Sequence, residues 1–110
     1  MVEFDFKPAN DTYADPHNPS VVLGLMLGDE GKGMTVAKET QRRIEAGLNP
    51  VVVRFNGGSQ AAHNVRRRLD DGTVLHHMHQ QIGSGALYGA STILNRRMLV
   101  DTVRLFDECM

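Results

Sequence analysis

Between Gly28 and Gly33 the chain reads Gly-Asp-Glu-Gly-Lys-Gly, three glycines interleaved with two carboxylates and one ammonium. Glycines let the backbone take φ > 0 and come close to a ligand, while Asp29, Glu30 and Lys32 bring charge to that approach. A second polar, glycine-bearing stretch, Asn56-Gly57-Gly58-Ser59-Gln60-Ala61-Ala62-His63-Asn64, adds an imidazole at His63. A carboxylate and an imidazole across a cleft can divide a proton transfer, so Asp29 and His63 are the candidate acid–base pair. Backbone N–H groups at the start of a helix after Gly33 would favour a phosphate, and Lys32 would reinforce them. Gly31-Lys32 also resembles the end of a P-loop. That motif is excluded, because Met26 stands where it needs glycine and Gly33 where it needs Ser or Thr.

These residues need elements to hold them. The run Val21-Val22-Leu23-Gly24-Leu25-Met26-Leu27 reads as a buried strand, and Thr35 to Ala46 as a helix with Met34, Ala37, Gln41 and Ile44 near one face and Gly47 placed to stop it. Asn49-Pro50 then turns the chain into Val51-Val52-Val53-Arg54-Phe55, whose β-branched triplet suits a strand buried on both faces. The expected fold is α/β: a parallel, right-handed βαβ sheet with the glycine-rich nucleotide-binding loop at its carboxyl edge, plus a β-hairpin and a C-terminal helix. Val65–Leu69 and Thr73–His79 flank Asp70-Asp71-Gly72, a hairpin signal. Gln80 to Gly89 is turn-rich. Leu99 to Glu108 fits a closing helix with Asp101 as its cap and Val100, Val103, Leu105 and Phe106 as its apolar members.

Two other clusters invite chemistry. Arg66-Arg67-Arg68 suggests a nucleic-acid contact, but three consecutive arginines on a strand cannot share a face, and no aromatics interleave them. His76, His77 and His79 suggest zinc, with His77 and His79 on one strand face, but no cysteine or further histidine completes a tetrahedral set.

The 110 residues suit one small domain, and a composition of 41% hydrophobic and 23% charged residues is that of a globular protein. A net charge of −1 offers no electrostatic case for a nucleic-acid or membrane partner. Cys109 is the single cysteine and cannot form an internal disulfide; with no secretory or long apolar run, a cytoplasmic protein is expected. Residues 1–19, with Pro8, Pro16 and Pro19, read as an irregular arm anchored by Phe4 and Phe6, and residues 20–110 as the folded segment.

Gly28 to Gly33, then Val52-Val53-Arg54-Phe55 leading to Gly57-Gly58 and Ala61-Ala62-His63, then Leu75-His76 and Ile82-Gly83-Ser84-Gly85, resemble the N-terminal part of adenylosuccinate synthetase in order and spacing. The resemblance implies a ligase that joins IMP to aspartate with GTP and magnesium, through a 6-phosphoryl intermediate. A phage branch of the family acts instead on dGMP, and the sequence leaves GTP or ATP open as phosphate donor. Carried over, Asp29 is the base at purine N1 and a magnesium ligand, and His63 is the acid beside O6. Glu30, Gly31 and Lys32 hold IMP and phosphate groups, Gly28 to Gly33 line the GTP phosphates, and Gln60, Ala61, Ala62, His63 and Asn64 form the other side of the nucleotide site. The carbonyl of Ala62 is the second magnesium ligand. Homodimerisation is implied by the family alone.

The sequence departs from the family pattern. Met26-Leu27 replaces Gln-Trp, Met34 replaces Lys, Gln60 replaces Asn, Ala62 replaces Gly and Asn64 replaces Thr. These changes point to a divergent branch with adjusted nucleotide contacts. The phage enzymes commonly carry Ser at the loop aspartate, so Asp29 favours the IMP reaction. Family members are several-fold longer, and the expectation is a fragment, a truncated reading frame or one piece of a split enzyme. The other readings are a non-catalytic purine-nucleotide-binding module and a hairpin that binds metal or nucleic acid.

Overall fold

Helix α1, Lys32–Glu45, is the longest regular element of the computed structural model, which describes residues 15–28 and 30–110. It begins directly after Gly31, whose φ of 78° makes the abrupt bend that a residue with a Cβ would resist. The start is three residues ahead of the expected Thr35, which instead bonds back through both its N–H and its Oγ1 to the Gly31 carbonyl, at 2.9 and 3.1 Å. At the far end the N–H groups of Ala46, Gly47 and Leu48 donate to carbonyls of the last turn, so Gly47 follows the stop as expected.

The buried face of α1 is Gly33, Ala37, Thr40 and Arg43, a correction to the expected Met34, Ala37, Gln41 and Ile44, of which Met34 and Ile44 stay exposed. The cause is close approach: α1 lies against β3 and a short 3-10 helix at Ala86–Tyr88, where only small side chains fit. A Cβ on Gly85 would collide with Thr40 Oγ1. Arg43 is buried here because it reaches back to the preceding segment, donating from Nη2 to the Asn18 carbonyl at 2.8 Å and to Ser20 Oγ at 3.1 Å.

The strands are β1 Val51–Arg54, β2 Gly57–Gly58, β3 His63–Arg68, β4 Val74–His79, β5 Ser91–Leu94 and β6 Met98–Leu99, and helix α2, Thr102–Cys109, closes the chain. β1 pairs in parallel with β5, Val51 opposite Ser91 through Arg54 opposite Leu94, and β2 pairs in parallel with β6. β3 and β4 form the expected hairpin around Gly72, whose φ is 85°. The fold is therefore mixed α/β, with parallel strand pairs, a hairpin and a C-terminal helix.

Two expectations about the sheet are corrected. Residues 21–27 form no strand: no other strand runs beside them among the described residues, and Val21, Leu23, Leu25 and Leu27 lie exposed, Leu25 at 91%. A strand needs neighbours for its backbone groups and cover for its faces, and this run has neither. The βαβ unit with α1 at its centre is consequently absent. The parallel partner of β1 is β5, reached through the hairpin and the 3-10 helix. Nor is β1 buried on both faces: Val51, Val53 and Phe55 are exposed, while Val52 packs where Gly83 and Gly85 leave room.

The apolar core is small, comprising Ala37, Val65, Ala90 and Met98, and polar Thr40, Arg43, His79, Gln81 and Ser84 are buried with it. α2 is held by polar ties. Asp101 caps it through Oδ1 to the Arg104 N–H, and buried Gln81 exchanges two hydrogen bonds with the Asp101 backbone, at 2.8 and 2.9 Å. No helix among the described residues is long and apolar enough to cross a membrane. Phe4, Phe6 and most of the N-terminal arm lie outside the described residues.

Candidate functional site

His63 opens β3, and alternation along the hairpin places it on the same face as Val65 and Arg67, with His79 directly opposite on β4. α1 comes down on this face at its first turn. A Cβ on Gly33 would sit 2.6 Å from His63 Cβ and 3.2 Å from Ser84 Oγ, so the third glycine of the loop is what lets the helix start meet the imidazole. The two glycine-bearing stretches of the sequence are thus in contact through Gly33 and His63.

Charge around His63 is positive. Burial first, then the charges of Arg54 and Lys32, hold its pKa below the ordinary 6.5 and favour the neutral ring. Arg54, at the end of β1, is itself drawn down by burial against the opposing pull of Glu108, and its Nη1 is buried without a hydrogen-bond partner among the described residues. Burial also pushes His79 down to about 4, helped by His77, His63 and Arg54 and opposed by Glu108.

On the loop side, Glu30 Oε1 accepts from the N–H groups of Gly28 and Met26 at 2.9 and 3.0 Å, and Glu30 Oε2 lies 3.7 Å from Lys32 Nζ. The Gly28 N–H, with the Lys32 charge and the Met26 N–H, outweighs desolvation and holds the Glu30 carboxyl below its ordinary value. The pair rests against Gly24, where a Cβ would meet both Glu30 Oε2 and Lys32 Nζ. A cleft runs beside it between residues 20–23 and the α1 side chains Lys32, Thr35 and Glu39. α1 carries no side-chain cap at Gly31 and no acidic residue in its first turn; the described carboxylate next to this end is that of Glu30, which is turned to the Gly28 and Met26 N–H groups and to Lys32.

Glu30, Gly31, Lys32, Gly33 and His63 are brought to one end of α1. Gln60 is exposed, with Oε1 folded back toward Gly58, and the Ala61 N–H donates to the Gly58 carbonyl at 3.3 Å; Ala62 is exposed just before β3. Asn64 lies on the opposite face of β3 from His63 and pairs with His76, Oδ1 to Nε2 at 3.0 Å. Asp29, the expected base, lies outside the described residues. Ser84 lies beside Gly33 with His63, and the Arg54 charge acts on His63, yet neither was named as a site residue from the sequence. Both stand in the motifs Val52-Val53-Arg54-Phe55 and Ile82-Gly83-Ser84-Gly85 that carry the family resemblance, and that placement could have flagged them.

The arginine run divides as its alternation requires. Arg67 turns inward, donating from Nη1 to the Leu87 carbonyl at 2.6 Å and stacking 4.9 Å from the Tyr88 ring centroid, while Arg66 and Arg68 face solvent.

A family profile described as adenylosuccinate synthetase matches residues 21–110. Among curated proteins, the adenylosuccinate synthetase of Thermoplasma acidophilum is 40% identical over 89 residues, covering 81% of this chain and 18% of the relative. That of Picrophilus torridus is 36% identical over 89 residues, with 81% and 19% covered. That of Thermotoga maritima is 32% identical over 92 residues, with 80% and 21% covered. The chain thus spans about a fifth of the length of the relatives it matches. The matched span takes in both glycine-bearing stretches, the hairpin and α2, and on that footing the chain belongs to the adenylosuccinate synthetase family.

Proposed function

We propose that this chain carries the purine-nucleotide end of a ligase that forms adenylosuccinate from IMP and aspartate with GTP. The observation that supports this reading is the contact of Gly33 with His63 at the start of α1, with the charges of Lys32 and Arg54 acting on the same imidazole. Two cations, one with an unpartnered buried N–H, and a helix start form a receptor for phosphate charge, and phosphoryl transfer is mostly positioning and charge neutralisation.

The same cations explain how His63 acts as an acid. Together with burial, the larger cause, they favour the neutral ring while no anion is present. A nucleotide phosphate beside Lys32 and Arg54 cancels their push and raises the imidazole pKa, so the ring gains its proton as substrate arrives. His63 then donates at purine O6 and stabilises the charge placed there, while Asp29 takes the proton from N1. Glu30 fixes the loop through the Gly28 and Met26 N–H groups and keeps Lys32 oriented. Gln60 contributes an amide to the nucleotide from its exposed position, and Ala61, Ala62 and Asn64 border it. The Asp29 carboxylate and the Ala62 carbonyl are hard oxygens of the kind magnesium takes, and these two residues would hold the ion, which supplies neutralisation of phosphate charge.

The test pairs binding with turnover. Mg-GTP or IMP added to the chain is expected to shift the His63 ring and Gly33 amide NMR signals saturably and to raise the His63 pKa. In the intact gene product, Asp29→Asn and His63→Asn are expected to abolish adenylosuccinate formation. Unchanged activity in either variant overturns the assignment of that residue. Turnover with dGMP but not IMP would redirect the substrate.

A further inference from the structure

Among the described residues no cysteine or further histidine joins His77 and His79, as expected from the sequence, but the last turn of α2 brings the Glu108 carboxylate to them. His77 and His79 share a face of β4, and one ligand atom from each of His77, His79 and Glu108 lies within 4.8 Å of the others. The two rings stand 4.5 Å apart at 61°, so they are not stacked and their nitrogens can converge. His77 Nε2 is 3.8 Å from Glu108 Oε1.

His79 is 1% exposed, yet neither Nδ1 nor Nε2 has a hydrogen-bond partner among the described residues. Buried polar atoms are almost always satisfied, and this unpartnered imidazole beside a carboxylate and a second imidazole has a ring nitrogen free for a further partner. Glu108 is prepared in the way outer-shell hydrogen bonds prepare a metal ligand. Its side chain is 5% exposed, and the carboxylate accepts the N–H groups of Gln80 and Ile82 on Oε1 and of Gln81 on Oε2, at 2.8 to 3.1 Å. Three N–H donors occupy three of about four lone-pair sites and leave one on Oε2.

We propose that His77, His79 and Glu108 form a binding site for a divalent transition-metal ion of the zinc type, joining the end of the hairpin to the end of α2. Two imidazole nitrogens and one carboxylate oxygen suit zinc and its neighbours, whereas magnesium and calcium take oxygen throughout. Around tetrahedral zinc, ligand atoms stand about 3.4 Å apart, so the His77–Glu108 separation of 3.8 Å would have to close slightly on binding, at a side chain that is only partly buried. A shallow cleft lined by His77, Gln80, Arg104, Asp107 and Glu108 opens beside the cluster and would give water or an exogenous ligand access to the ion. Arg54 and His63 approach from β1 and β3; the Arg54 charge opposes a cation and the Glu108 charge offsets it. Cys109 is the next residue after Glu108 but is exposed and outside the cluster.

Zinc or cobalt titrated into the chelator-treated 110-residue chain tests the site, followed by calorimetry and by the cobalt ligand-field spectrum. One equivalent is expected, with a raised melting temperature. His77→Ala, at a half-exposed position that tolerates truncation, is expected to weaken binding at least about 100-fold, the upper end of what loss of an outer-shell partner alone does. Glu108→Gln should weaken it too, and His76→Ala, on the opposite hairpin face, should leave it unchanged. No bound metal overturns the proposal, as does binding that survives His77→Ala or that is lost in His76→Ala or Cys109→Ser. Should Glu108→Gln fail to fold, His77→Ala decides.

Discussion

His63 owes its character to what presses on it. Burial and the Arg54 and Lys32 charges favour the neutral ring, so its NMR titration midpoint in the free chain is expected below 6.5 and is expected to rise in Lys32→Ala. An unmoved midpoint in that variant would remove Lys32 from the site. The sign for stability follows: a depressed histidine contributes fully above the ordinary 6.5, and the contribution is withdrawn on acidification as the unfolded chain takes up the proton first. Gly33 sets two effects of opposite sign against each other. Helix propensity alone makes Gly33→Ala stabilising by about 1 kcal/mol, but the new methyl would lie 2.6 Å from His63 Cβ, and such overpacking costs about 1–3 kcal/mol. We expect net destabilisation of roughly 1 kcal/mol in urea unfolding, with the His63 signals displaced; a more stable variant would mean that α1 does not press on His63.

At the scale of elements, the parts specified by neighbouring residues were readable and those specified across the chain were not. The hairpin followed from Asp70-Asp71-Gly72, the end of α1 from Gly47, and α2 from Asp101, whose carboxylate caps it as anticipated. Asp101→Ala is expected to cost about 1 kcal/mol by chemical denaturation, since the Arg104 N–H loses its acceptor while the Gln81 bonds to the Asp101 backbone remain. The apolar run 21–27 carries every local mark of a strand, but strand formation is a property of pairs, and no strand pairs with it among the described residues. β5 was unassigned because its register with β1 links positions 51–54 to 91–94, a separation no local pattern encodes. The site divides likewise. Lys32 and His63 stood out by residue type and spacing, whereas Arg54 and Glu108 matter through contacts that only the folded chain creates.

For the whole molecule the decisive quantity is the apolar surface left uncovered. Leu23, Leu25, Leu27, Phe55, Val103 and Phe106 are exposed around a core of four apolar side chains among the described residues, well beyond the scattered hydrophobes of an ordinary monomer surface. The chain is expected to bind anilinonaphthalene sulfonate strongly. Replacing Leu25 and Leu27 with Ser should reduce that fluorescence while changing stability by no more than about 0.5 kcal/mol, because neither side chain is packed; a large loss of stability would show that the run is buried in solution. Among the described residues the parallel pairs β1–β5 and β2–β6 have two strands each, so their outer edges carry backbone groups that no described strand pairs. Such edges turn folding from a property of one molecule into a property of the mixture. The melting temperature should climb with protein concentration or with any added polypeptide able to lie along β1 or β5, so this chain's stability has a meaning only once its company is stated.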